Sequence, residues 1–123
     1  MRLYAVLSLT ILAIVCIILQ HTRPKGTLAH YIRGFTVGGA SLLVVFINTY
    51  FISAQRGLTW DAGFIAHNIL GGIFFISWII TVSLGMGMGG SRSARSLHGL
   101  FAYITTIFFF LSLVAAGAIR FIR

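Results

Sequence analysis

Four long apolar stretches, one acidic residue in the whole chain, and a histidine at the head of three of those stretches predict the fold. The class is an all-α integral membrane protein: a four-transmembrane-helix bundle, up-and-down, with both termini on the same side. The chain has 123 residues, of which 59% are hydrophobic and 8% charged, and its mean hydropathy is +1.02. A soluble domain this small has too little interior to hide so much apolar surface. The stretches are continuous and lack alternation of apolar and polar residues, which argues against a transmembrane barrel. One transmembrane domain is expected over residues 1–123, with helices at about 3–20, 28–53, 61–84 and 96–120, each able to cross roughly 30 Å of hydrocarbon at about 1.5 Å per residue.

The formal charge of +8 would suggest nucleic acid in a soluble protein. Here Lys and Arg fall in the turns and at helix ends without forming a basic stripe, so nucleic acid is excluded as a partner. The lipid bilayer and its anionic headgroups take its place. Arg23, Lys25, Arg33, Arg92 and Arg95 fall toward the first and third loops, against Arg2, Arg56, Arg120 and Arg123 at the other side. This small excess predicts that loops 1 and 3 are cytoplasmic.

Helix 1 is rich in Leu, Ile and Val on all sides, which predicts a place at the rim facing lipid. Its single Cys16 has no second cysteine to pair with and is expected to act as a small apolar side chain. Gln20 to Gly26 contain the only proline and form a basic turn, after which Thr27 is the expected N-cap of helix 2. Helix 2 carries Gly34 and Gly38 at a spacing that permits close helix contact. Its Asn48 is expected to face protein, because an amide in lipid needs a partner. Asp61 is expected to cap helix 3, with Trp60 as an interfacial anchor. The glycine-rich third loop has neither the preceding strand nor the Gly-Lys-Ser/Thr of a phosphate loop. Met86 and Met88 are expected to be apolar interfacial residues.

The histidines are the informative residues. Stepping by three or four from His98 gives Ala102, Thr105, Phe109, Ser112 and Ala116. From His67 the steps give Gly71, Phe74, Trp78, Thr81 and Gly85, and from His30 they give Gly34, Gly38, Ser41 and Asn48. Each stripe is headed by an imidazole with a small residue one turn later, which suits close approach of either a neighbouring helix or a flat ligand. In an up-and-down topology His30 and His98 stand at the same-side ends of two parallel helices, as bis-histidine haem ligation requires. Gly34 and Ala102 would leave room for the macrocycle, and Arg33, Arg92 and Arg95 would meet its propionates. The competing reading makes each histidine an interfacial anchor or hydrogen-bond donor. His67, near the opposite side, has three readings: ligand of a haem or of a chlorophyll-type pigment, partner of its own copy across a homodimer, or hydrogen-bond donor. His21 is expected to be solvated.

His67-Asn-Ile-Leu-Gly71 continuing to Gly85, and His98-Gly-Leu-Phe-Ala102 continuing to Gly117, resemble the helix-opening histidine repeats of b561-type cytochromes and related small four-helix haem proteins. The resemblance covers helices 2 to 4 and implies haem b near each membrane face, with electrons passed between small reductants, quinones or partner proteins. It implies His30 and His98 as one ligand pair and His67 as one ligand of the other, whose partner would stand on a following helix that is not in this chain. One haem is therefore the expectation.

Two functions from different classes follow. The first is a membrane b-type cytochrome-like electron-transfer protein, or the membrane anchor of a redox enzyme. The second is a non-catalytic accessory subunit of a larger membrane complex, photosynthetic or respiratory, that binds a pigment or stabilises helix packing against other membrane subunits. A transporter or channel is less favoured, since no mid-span charge or proline-broken helix marks a path. No nucleophile-base pair or paired carboxylate is present to suggest a stand-alone enzyme.

Overall fold

The computed structural model describes residues 2–55, 62–87 and 92–122, and all of them but a short turn are helical. The helices are α1 (Arg2–Thr22), α2 (Leu28–Gln55), α3 (Ala62–Gly87) and α4 (Arg92–Ile122). Each contains a segment long and apolar enough to cross a membrane: Tyr4–Thr22, Leu28–Tyr50, Ile65–Met86 and Ser93–Ala116. The predicted helices are therefore present, with ends that differ by up to four residues. The largest difference is at α4, which begins at Arg92 where a loop was expected up to residue 95. The expectations for Trp60 and Asp61, and for Met88, lie outside the described residues.

The chain divides into two compact units, Met1–Leu58 and Thr59–Arg123. In the first, α1 packs against α2. The turn between them runs through Gly26, whose φ of 80° lies in the left-handed region that a residue without Cβ adopts at least cost. Thr27 then caps α2 as expected, its Oγ1 accepting from the His30 amide at 3.2 Å. The buried residues of this unit are Ala13, Cys16 and Ile17 of α1 and Val37, Gly38 and Ala40 of α2. Helix α1 is thus not lipid-facing on all sides. Ala13 and Cys16 are small buried side chains three apart, a seam that the rim placement overlooked. The opposite face, with Leu7, Ile11, Leu12, Val15 and Ile18, is exposed, as suits contact with acyl chains.

In the second unit α3 and α4 pack antiparallel. Their seam holds Phe74, Ser77 and Gly85 of α3 with Thr105 and Phe109 of α4, all buried. The Phe74 and Phe109 rings meet edge to face with centroids 5.4 Å apart, a favoured aromatic geometry. Hydroxyls in both units bond back to their own helix: Thr10 to the Val6 carbonyl, Thr36 to Ile32, Ser41 to Val37, Thr106 to Ala102. Such bonds satisfy a polar group where no water is available.

Candidate functional site

The candidate site is the α3–α4 seam, and its chemistry is set by two imidazoles. His67 stands near the start of α3 and approaches the Ser112 carbonyl of α4 with Nδ1 at 2.9 Å. His98 stands near the start of α4 and approaches the Thr81 carbonyl of α3 with Nδ1 at 2.8 Å. A carbonyl oxygen only accepts, so Nδ1 carries the proton in both rings and the neutral imidazole has its lone pair on Nε2. This is the tautomer in which a metal-ligating histidine presents Nε2 while its second nitrogen is held by a carbonyl.

The two contacts are images of each other. His67 and Thr81 are fourteen residues apart on α3, as are His98 and Ser112 on α4. A shift of 31 residues carries His67 onto His98, Gly71 onto Ala102, Thr81 onto Ser112 and Gly85 onto Ala116. Because the helices are antiparallel, this repeat makes the pair nearly two-fold symmetric. Each imidazole reaches across to the helix that carries the other, one toward each end of the pair.

Small residues make the seam possible. A Cβ added at Gly85 would stand 2.9 Å from Cε1 of His98, closer than carbon atoms approach, so the ring lies where only glycine admits it. At Gly71 an added Cβ would meet Ser112 Oγ at an ordinary 3.5 Å. Ser112 Oγ also lies 3.2 Å from His67 Nδ1, a secondary contact beside the carbonyl. Between the histidines, Thr81 and Thr105 face each other with Oγ1 atoms 3.1 Å apart. Each of these hydroxyls also lies 2.7 Å from a carbonyl of its own helix, Ser77 and Phe101 respectively. The seam is therefore a run of polar groups matched across two helices, and the stripes predicted from His67 and His98 are its two sides. Of the two occupants those stripes suit, the structure supplies the neighbouring helix.

The remaining predicted residues lie elsewhere. Arg95, one turn before His98, is exposed, and Arg92 is the first residue of α4. Ala102 is half-buried. His30, Arg33 and Gly34 belong to the first unit, where they gather around Gln20. The Gln20 amide donates from Nε2 to the His30 carbonyl at 2.9 Å and accepts at Oε1 from Arg33 Nε at 3.0 Å. A Cβ added at Gly34 would stand 3.2 Å from Gln20 Nε2. The face of Gly34 that was expected to receive a macrocycle is therefore filled by the Gln20 amide, whose hydrogen bonds hold it there. Gln20 was assigned to the turn and its part in this cluster was missed. Its position seven residues after Ala13, and four after Cys16, places it on the buried face of α1 and was the available signal. Among the described residues no three His, Cys, Asp or Glu side chains gather as a metal-binding group, which bears on mononuclear sites with three protein ligands and not on haem.

No protein-family model matches the chain, and no curated protein or solved structure is detectably similar to it.

Proposed function

We propose that the chain is a membrane b-type haem protein that carries electrons or anchors a redox enzyme, with His98 and His67 as iron ligands toward opposite ends of the α3–α4 pair. The observation that carries this reading is the carbonyl contact at Nδ1 of each ring, which places the lone pair on Nε2 in advance of any ligand. Preset orientation and tautomer lower the cost of binding iron, and a hydrogen-bonded Nδ1–H raises the basicity of the ligating nitrogen. The reading keeps His30 as a candidate axial ligand, on the sequence argument that it heads a stripe of the same kind.

The residues fit the group in part. The imidazoles have the required tautomer, while the space beside Gly34 and Gly71 is taken by Gln20 and Ser112. A haem would supply one-electron chemistry, its potential set by axial ligands, burial and nearby cationic groups. The chain's own residues would orient the ligands and keep water from them. Arg95, exposed and one turn before His98, is the basic side chain suited to a propionate.

A second reading is favoured by the filled seam: an accessory subunit in which the histidines serve helix packing, and in which His67 holds a pigment or nothing. The two readings are separated by a reduced-minus-oxidised absorption spectrum of the protein purified in mild detergent, with pigment extraction from the same sample. The haem reading predicts b-type bands that disappear in His98→Ala. A spectrum without haem bands, or bands unchanged in both His98→Ala and His67→Ala, would overturn it, and extracted chlorophyll would move the assignment to His67.

A further inference from the structure

The first unit carries an unbalanced charge. Arg33 lies five residues into α2, about 8 Å below its start by the helical rise, inside the apolar span Leu28–Tyr50. Its Nε is held by Gln20 Oε1, while its Nη2 is buried and has no hydrogen-bond partner among the described residues. The unit Met1–Leu58 contains no acidic residue at all, since the one acid of the chain is Asp61. A guanidinium cannot shed its proton, so at this depth it requires an anionic acceptor from outside the unit. Arg23 and Lys25 stand in the exposed turn at the same end of the hairpin and add positive potential there.

From these observations we infer that the turn end of the α1–α2 hairpin binds the phosphate of an anionic phospholipid, with Arg33 as its principal contact. Gln20 fixes the guanidinium by one edge and is itself pinned to the His30 carbonyl, so the fork is pre-oriented for a bidentate bond to phosphate oxygens. The Nη2 group is enclosed in the lipid-free chain. The phosphate reaches it by a shift of the side chains that cover Nη2, with the Nε edge still held by Gln20. A lipid is favoured over free phosphate because Arg33 lies within the apolar span Leu28–Tyr50, a level that suits a headgroup whose acyl chains continue along the helices and not a free ion. Arg23 and Lys25, solvated and without such surroundings, contribute attraction without selectivity.

The test is native mass spectrometry of the full chain from detergent micelles doped with equal amounts of dioleoyl phosphatidylglycerol and dioleoylglycerol, which has the same acyl chains and no phosphate. Retention of phosphatidylglycerol is expected to exceed that of dioleoylglycerol at least about tenfold, the ratio a single charge-assisted hydrogen bond confers. Arg33→Gln should remove the preference, while Lys25→Gln should leave most of it, and millimolar inorganic phosphate should not compete. Equal retention of the two lipids by the unaltered chain would overturn the proposal without recourse to any variant. So would a preference undiminished in Arg33→Gln, which would indicate general basic attraction, or loss of the bound lipid to inorganic phosphate, which would indicate a free-anion site. If Arg33→Gln does not fold, Gln20→Leu serves in its place, with the preference falling severalfold as the fork loses its fixed edge. An unchanged preference in folded Gln20→Leu would count against the pre-oriented fork.

Discussion

The two hairpins solve one problem differently. Both join helices long and apolar enough to cross a membrane, and in both small residues and hydrogen bonds do the joining. In α3–α4 the polar contacts run along the seam and come in a matched pair, His67 to the Ser112 carbonyl and His98 to the Thr81 carbonyl. In α1–α2 they gather at the turn end, where Gln20 binds both the His30 backbone and Arg33, and the rest of the contact is made by Ala13, Cys16, Ile17, Val37, Gly38 and Ala40. A distributed, repeated seam fixes two side chains in a chosen tautomer. A terminal cluster fixes one cation and leaves part of it in need of an acceptor. On the proposed readings the first arrangement would orient iron ligands and the second would bind an anion.

The comparison breaks most readily at Gly85. Gly85→Val is expected to expel the His98 ring from the seam and to lower stability by about 1–3 kcal/mol, the usual cost of overpacking, whereas Gly72→Ala, with nothing within 4 Å of the added carbon, should be neutral or gain up to about 1 kcal/mol from helix propensity. Thermal unfolding of both variants in detergent measures the contrast, and equal melting temperatures would refute the ring placement. In the other hairpin Gln20→Leu should cost about 1–3 kcal/mol, because it strands Arg33 Nε without its acceptor. The same melts, followed by protease accessibility of the α1–α2 turn, would show it. Loss of the cap in Thr27→Ala is expected to cost about 1 kcal/mol, with faster hydrogen exchange confined to the first turn of α2. The smallest effect is predicted for Ser112→Ala. The principal acceptor for His67 is the backbone carbonyl, so the variant should lie within about 0.5 kcal/mol of the parent; a large loss would transfer the role to the hydroxyl.

Much of the fold was legible because hydropathy and helix length are local properties. The four apolar stretches, the turn after α1 and the Thr27 cap follow from composition and from single residues. The stripes from His67 and His98 were legible too, since i, i+3 and i+4 spacing survives any arrangement of helices. What filled them was not legible, because a stripe of small residues suits a helix and a flat ligand equally. The first turn of α4 was missed because Ser93 and Arg95 are exposed polar residues whose types say little about helix or loop. Gln20 was missed because a polar residue next to a proline turn resembles turn composition, and its partners lie ten and thirteen residues away. The tautomers of His67 and His98 lay beyond reach for a related reason: the deciding atoms are backbone carbonyls on another helix, and any residue supplies a carbonyl.

The account rests on those tautomers, and nitrogen-15 NMR of histidine-labelled protein in detergent measures them. With His67→Ala and His98→Ala used to assign the signals, iron-free protein is predicted to show a protonated Nδ1 and an unprotonated Nε2 at both positions. A proton on Nε2 of either ring would contradict the carbonyl contacts and remove the support for its ligation of iron.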